Sequence, residues 1–361
     1  MRISNGIKIA AVYASVFLGA GFASGQELIR YFVGFGPMGA VGLLMAGVLF
    51  ALTGWSVLTI CRREKITTYS GMMQHLLGKR LGIATEWLVA AFLFCLFVAM
   101  LAGAGATARQ AFDIPFTAGA GIVGAVVFII LLFDLNGIVK VNVILAPLMI
   151  FGGFFVGLYA FLAASRPAFA MFAGLPSSWV VAAVVYASYN LVTGIPVLAA
   201  TSKLATKKSD AFVGGVVGGG VITLLGLSLL LPLFLYYTDV VNIEIPLLMI
   251  VVNYGPFFSL LYLGVLISAL LTTAACNGFA VLQWLNSHSR GWLANRKVAA
   301  AALCLLGIGA AHIGFSRIVA YVYPIFGLLG LFMILIIILN AIQPATGPDT
   351  ASKTPEYPKS R

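Results

Sequence analysis

The sequence predicts an all-α membrane protein of about ten transmembrane helices, and three observations carry that prediction. Of its 361 residues, 61% are hydrophobic and only 9% are charged, against the roughly 25% charged usage of soluble domains. Mean hydropathy is +1.08. Stretches such as 38–61, 211–235 and 318–339 exceed the roughly 20 apolar residues that cross a bilayer, so most of the chain belongs in lipid.

Taken in order, apolar runs separated by charged or Pro/Gly-containing loops place spans at roughly 7–33, 38–61, 83–110, 117–134, 139–164, 178–201, 211–237, 257–284, 298–314 and 317–341. Arg2 and Lys8 before the run 9–23 imitate a signal peptide. The next span follows almost at once, so the run is read as a retained first helix. Arg62, Arg63, Lys65, Lys79, Arg80, Lys140, Lys203, Lys207, Lys208, Arg290, Arg296 and Lys297 fall on one side, and only Arg30, Arg109, Arg166 and Arg317 on the other. The positive-inside bias then puts both termini in the cytoplasm and the chain in the cell membrane. The net charge of +11 is therefore topology, not a nucleic-acid footprint.

Five spans in each half make the second half enter the membrane from the opposite side, which is inverted-repeat geometry. The expected organisation is a first five-helix repeat over 5–165 and a second over 166–342. An outer lid helix is expected at about 243–254, where IPLLMIVVNYG is too short to cross and too apolar to float. The segment 343–361, rich in Pro, Thr, Ser and Lys, is expected to be a disordered cytoplasmic tail.

The first span is interrupted by Gly19-Ala20-Gly21-Phe22-Ala23-Ser24-Gly25-Gln26-Glu27. Glycines and freed backbone groups at mid-membrane persist only where protein or water satisfies them. Ser24 with Glu27 three residues on is a capping box, which predicts a half-helix restarting at Ser24 and running to Tyr31. The sixth span carries Tyr186, Ser188, Tyr189, Asn190, Thr193, Gly194 and Pro196, which predicts a second break with a restart near the proline. Paired breaks expose backbone donors and acceptors at one locus, so a carboxylate and a cation can be held together.

GAGFASGQE, SYNLVTGIP, the lid segment before span eight and Thr272-Thr273 within it resemble a LeuT-fold transporter of the amino acid/polyamine/organocation superfamily. Within it the chain is similar to the YkvI-type bacterial amino acid permeases, over about residues 5–342. The resemblance implies helices 1 and 6 broken at mid-membrane, substrate bound between spans one, three, six and eight, and alternating access by rocking of helices. It also implies sodium as coupling ion, held by carbonyls from about Ser15 through Leu18 and Gly19 and by Ala269, Thr272 and Thr273. Such oxygen ligands suit a hard cation, but threonines in membrane helices also bond to their own backbone. A proton is the alternative ion. Lys140 matches the region of a coupling lysine in proton-driven members, or is simply a snorkelling anchor.

Glu27 is the one acidic residue expected near mid-membrane, where a carboxylate is a functional candidate by default. It serves the capping box, or touches the substrate amine, a proton or a mobile gate, and these roles can coexist. Arg30 and Arg109 form an outer gate with Glu27 or Asp113, or anchor at the interface. Phe97 and Met100 line a pocket or pack between helices, while Tyr186 and Tyr189 need hydroxyl partners in lipid. Asn190, Asn277 and Ser268 are polar liners or helix-packing groups. The full set expected to touch substrate is Gly19, Ala20, Gly21, Phe22, Ser24, Gly25, Glu27, Phe97, Met100, Tyr186, Ser188, Tyr189, Asn190, Thr193 and Gly194.

Cys61, Cys95, Cys276 and Cys304 lack metal or disulfide spacing, and His75, His288 and His312 lack partner ligands. No nucleophile–base or cofactor motif is visible. The sequence therefore reads as a permease for an amino acid or related small amine, with no catalytic residues and no cofactor beyond the coupling ion. The alternatives are a proton-coupled or quaternary-amine permease, or a non-transporting receptor on the same fold.

Overall fold

The computed structural model describes residues 4–17, 19–133, 148–164, 178–288 and 295–342. Leu18, Lys140, Arg166, Arg290 and the segment 343–361 lie outside them, and with them part of the expected sodium set, the coupling-lysine candidate and the expected tail.

The first span comes in three pieces: α1 (Asn5–Phe17), α2 (Ala20–Ser24) and α3 (Gln26–Tyr31). Gly19 is extended, with φ −68° and ψ 171°, and Gly25 is left-handed, with φ 87°. Only glycine enters that second region without strain. The break expected from the glycine cluster is present, but its restart sits at Gly25 and not at Ser24. The capping box does not form: the Gln26 amide donates to Ser24 Oγ at 3.2 Å, while Glu27 turns away into the protein. A left-handed residue between Ser24 and Glu27 changes the direction of the chain, so the reciprocal bonds of a capping box are out of register.

Helix α4 (Pro37–Arg63) opens on proline at its first turn and closes on Arg62 and Arg63, both favourable to a helix end. Helix α5 (Tyr69–Phe112) is capped by Thr68, whose Oγ1 accepts from the Gly71 amide at 3.1 Å, and bends at Gly78, where φ is 75°. Then follow α6 (Phe116–Leu132), a π-helical turn at Leu148–Gly152 leading into α7 (Gly153–Leu162), α8 (Trp179–Thr201) and α9 (Lys208–Leu235). A short helix α10 (Pro246–Val252) precedes α11 (Pro256–His288), α12 (Arg296–Ala311) and α13 (Tyr323–Ile342). Six helical stretches are long and apolar enough to cross a membrane, and three shorter apolar helices accompany them among the described residues.

The sixth span corrects the sequence reading. The expected break around Thr193, Gly194 and Pro196 is absent, and α8 runs unbroken with Pro196 inside it. The polar residues that suggested unwinding bond back into the helix. Ser188 Oγ donates to Val184 O at 2.7 Å, Asn190 Nδ2 to Tyr186 O at 3.0 Å, and Thr193 Oγ1 to Asn190 O at 2.7 Å. Back-bonding of this kind satisfies side chains in an apolar setting without freeing backbone, and membrane helices tolerate an interior proline when neighbours pack around it.

Two groups of helices form. Helices α1, α4, α8 and α9 pack on one another, with α13 against α8 and α4; α5, α6, α11 and α12 form the second group. The α4–α9 contact is backbone to backbone. A methyl built on Gly219 lies 2.7 Å from Ala51 N, and one on Gly215 strikes Trp55 N, so only small residues permit this approach.

Candidate functional site

Between the two groups, at the break after α1, lies a buried cavity of about 50 Å³, larger than the space one water needs. It is lined by residues of the broken first span (Val16, Phe17, Gly19, Gly21 and Glu27), of α5 (Phe92, Leu96 and Met100), of α8 (Tyr189, Asn190 and Thr193), of α11 (Thr273 and Asn277) and of α13 (Tyr323).

Glu27 is its chemical centre. The side chain is 5% exposed. Its carboxyl lies over Gly21, so close that a methyl on that glycine would collide with Oε1 and Cδ. Tyr189 and Asn190 flank it, yet Oε2 has no well-formed hydrogen bond within the protein. The same holds for the hydroxyls of Tyr189 and Tyr323 and for Asn277 Nδ2. Buried polar atoms are normally paired, so four orphaned atoms around one cavity mark a place that a ligand or water completes.

Rings close one side of it. Tyr189 and Tyr323 have centroids 4.9 Å apart, and Phe92 stands 6.3 Å from the first and 6.0 Å from the second. Helix α2 is held from α11 by Tyr262, whose hydroxyl donates to Ala23 O at 2.6 Å.

At one end of the bundle a vestibule of about 380 Å³ includes Gln26, Arg30, Tyr237, Asn242 and Ser316 in its lining. A polar clasp ties the segment before α10 to this end. Gln26 Nε2 donates to Ile243 O at 2.6 Å and Ser316 Oγ at 3.0 Å. Gln110 exchanges two bonds with Ile245, and Arg109 pairs with Glu244 at 2.8 Å.

Several residues expected at the site therefore sit elsewhere. Arg109 meets Glu244 and not Glu27 or Asp113. Arg30 is in the vestibule. Phe97 packs against Gly278 and Gly307, away from the cavity, while Met100 lines it. Tyr186 packs among Tyr31, Phe32 and Phe50. The Ser188 carbonyl abuts Gly330, and Gly194 abuts Phe17. Phe22 and Ala269 line a separate apolar void. Ser24 Oγ donates to Gly21 O at 3.1 Å, and Ala20 begins α2.

Of the sodium set, Thr273 lies beside Gly19 and lines the cavity. Thr272 Oγ1 donates to Ser268 O at 2.8 Å and faces Met149, and Ser15 Oγ donates to Val12 O at 2.8 Å. Among the described residues no group of three or more His, Cys, Asp or Glu is placed to hold a metal.

The sequence reading missed Tyr323, Phe92 and Leu96. The rule that singled out Tyr186 and Tyr189, that a tyrosine hydroxyl in an apolar span needs a partner, applies equally to Tyr323. Phe92, Leu96 and Met100 repeat every four residues, which is one helical face.

No protein-family profile matches the chain. It is 27% identical over 334 residues to the uncharacterized membrane protein YkvI of Bacillus subtilis, covering 91% of this chain and 93% of that protein. It is 26% identical over 342 residues to YyaD of the same organism, covering 93% and 97%. Among solved structures, the manganese transporter of Eremococcus coleocola superposes with a TM-score of 0.64 at 15% identity, over 92% of this chain and 77% of that one. A Na+-coupled sialic acid symporter in its substrate-bound outward-open state gives 0.59 at 13%, over 94% and 79%. By sequence the chain is thus similar to the YkvI and YyaD membrane proteins, and its fold is the LeuT fold of these solved structures.

Proposed function

We propose that this protein is a secondary transporter that moves a small amine-bearing solute, an amino acid or related amine, across the cell membrane by alternating access. The observation that carries the reading is the buried cavity at the first-span break, where one unpartnered carboxyl oxygen of Glu27 and three further unpartnered polar atoms converge. Membrane proteins keep such groups in the bilayer where a substrate or ion passes.

In this reading the spans number ten, in two five-helix halves of inverted topology. The positive-inside bias puts the vestibule on the outside and both termini in the cytoplasm. The group α1, α4, α8 and α9 rocks against the group α5, α6, α11 and α12, and α10 with the segment before it is the outer lid. Gln26, Arg109 and Gln110 hold that lid shut.

Sodium is the coupling ion, bound by the carbonyls near Gly19 and Ala269 and by Thr272 and Thr273, with Ser15 and Leu18 completing the expected set. Support comes from Thr273 beside Gly19 at the cavity. A proton is the second reading, favoured by Glu27, whose buried carboxyl has no cationic partner lining the cavity.

The test is thermal stabilisation of the purified protein by amino acids and amines, with sodium or with potassium in its place, followed by uptake into proteoliposomes. Stabilisation with uptake is the expected result. Binding without uptake would favour a receptor, and a sodium-indifferent hit would move the coupling to protons.

A further inference from the structure

The cavity around Glu27 also constrains the charge of what it holds. Among the described residues it is lined by one carboxylate and by no lysine, arginine or histidine. Its basic neighbour on the same half-helix, Arg30, opens into the vestibule instead. A buried charge is kept only when it is paired, and the protein supplies no partner at Glu27 Oε2. Tyr189 and Asn190 flank the carboxyl as neutral groups, so a cationic ligand is the partner that lets Glu27 stay charged when the site is filled, and a proton holds it neutral when the site is empty.

The converse is equally specific. A zwitterionic amino acid brings a carboxylate of its own, and among the described lining residues that group finds only the neutral donors of Tyr189, Tyr323 and Asn277 and no basic side chain. Helix α3, six residues long and with Glu27 in its first turn, adds no receptor for it. A second carboxylate in the same small cavity adds a like charge close to Glu27, which disfavours it relative to a carboxylate-free amine.

The aromatic side completes the picture. Phe92, Tyr189 and Tyr323 form a three-ring wall with centroid separations of 4.9, 6.0 and 6.3 Å, and all three line the cavity next to the carboxyl. Ring faces attract ammonium groups, the more so when solvent is excluded. The hydroxyls of Tyr189 and Tyr323 and the Asn277 amide leave room for a neutral oxygen on the ligand.

We propose that the substrate is a small organic ammonium cation without a carboxylate, its nitrogen paired with Glu27 and facing the Phe92–Tyr189–Tyr323 wall. This inference rests on the transporter reading of the same cavity and narrows it from amines in general to carboxylate-free cations.

The experiment uses carbon-skeleton triads on the purified full chain: isobutylamine, L-valine and isovalerate; phenethylamine, L-phenylalanine and 3-phenylpropionate; ethanolamine, L-serine and 3-hydroxypropionate. Unfolding midpoints are measured at graded concentrations, and uptake of the labelled amine and amino acid is measured in proteoliposomes. The expected result is stabilisation by the amine of at least one triad and by neither acid-bearing member. Glu27→Gln then weakens that amine by about tenfold to a hundredfold, the range of a lost charge-assisted bond. Tyr323→Phe, which keeps the ring and removes the hydroxyl, weakens an oxygen-bearing amine and spares a plain one; it serves as the readout should Glu27→Gln not purify. An amino acid that stabilises more than its matched amine, or amine binding untouched by both substitutions, overturns the assignment. Uptake of an amino acid with no amine binding sinks the substrate class and leaves the transporter standing. Amine binding without uptake does the reverse, and absence of both sinks the two together.

Discussion

Gln26 and Glu27 are consecutive in the chain and face different compartments: Gln26 lines the vestibule of about 380 Å³, and Glu27 lines the buried cavity of about 50 Å³. Both ride on α3, which is joined to α2 through the left-handed Gly25. The six-residue helix thus carries the cavity's carboxylate on one side and a clasp on the segment before α10 on the other. Any tilt of α3 that repositions Glu27 also strains the bonds of Gln26 to Ile243 and Ser316.

The clasp can be loosened from the α5 side without touching the cavity. Gln110 Oε1 accepts the Ile245 amide at 3.2 Å, and Gln110 Nε2 donates to Ile245 O at 3.0 Å. Gln110→Ala removes both bonds, each worth about 1 kcal/mol. Amide exchange at Ile245 is expected to rise about fivefold or more, read by hydrogen–deuterium exchange. Unchanged exchange there would mean that the segment is fixed by the packing of α10 and not by the clasp.

Gly21 permits the position of the Glu27 carboxyl. Gly21→Ala puts a methyl where Oε1 and Cδ now lie, and since the glutamate side chain is flexible it moves while the backbone stays. Ligand affinity is expected to fall about tenfold, toward that of Glu27→Gln, because a displaced charge-assisted contact costs about 1.5–3 kcal/mol. The ligand-free unfolding midpoint should shift little. A large loss of that midpoint with ligand affinity retained would show that the glycine serves the backbone alone.

Thr272 and Thr273 are adjacent but unequal. Thr273 stands by Gly19 at the cavity, whereas Thr272 already donates to Ser268 O and faces Met149. Thr273→Ala is expected to remove the sodium-dependent part of ligand stabilisation, and Thr272→Ala to reduce it less. Equal effects of the two would support a site that uses both hydroxyls together, as the resemblance implies.

Gly215→Leu tests the contact between α4 and α9. The new side chain meets the Trp55 amide and the Gly54 carbonyl carbon, backbone atoms with nowhere to go. A loss of about 3 kcal/mol, or a lowered unfolding midpoint in detergent, is expected from overpacking at a helix seam. A midpoint within experimental error of the parent would mean that the helices part readily here.

Composition and hydropathy were enough for the class of protein, because a chain with so few charges and so many long apolar runs has no soluble way to bury itself. Local chemistry also revealed the first break, since glycines such as Gly19 and Gly25 at mid-span are costly unless the helix is meant to end. The same logic misled at the sixth span. Asn190, Thr193 and Pro196 look alike in sequence whether they open a helix or bond back into it, and the packed α8 takes the second course.

What the tertiary structure decided is which side chains meet. Tyr323 reaches the cavity from about 300 residues beyond Glu27, and Arg109 finds Glu244 across 135 positions. Phe97 and Met100, three residues apart, take opposite fates, one to the α11–α12 seam and one to the cavity. A residue's neighbours along the chain set its helix and its depth in the membrane. Which face of that helix meets which partner depends on how the helices rotate and cross, and those angles come from the summed packing of all of them.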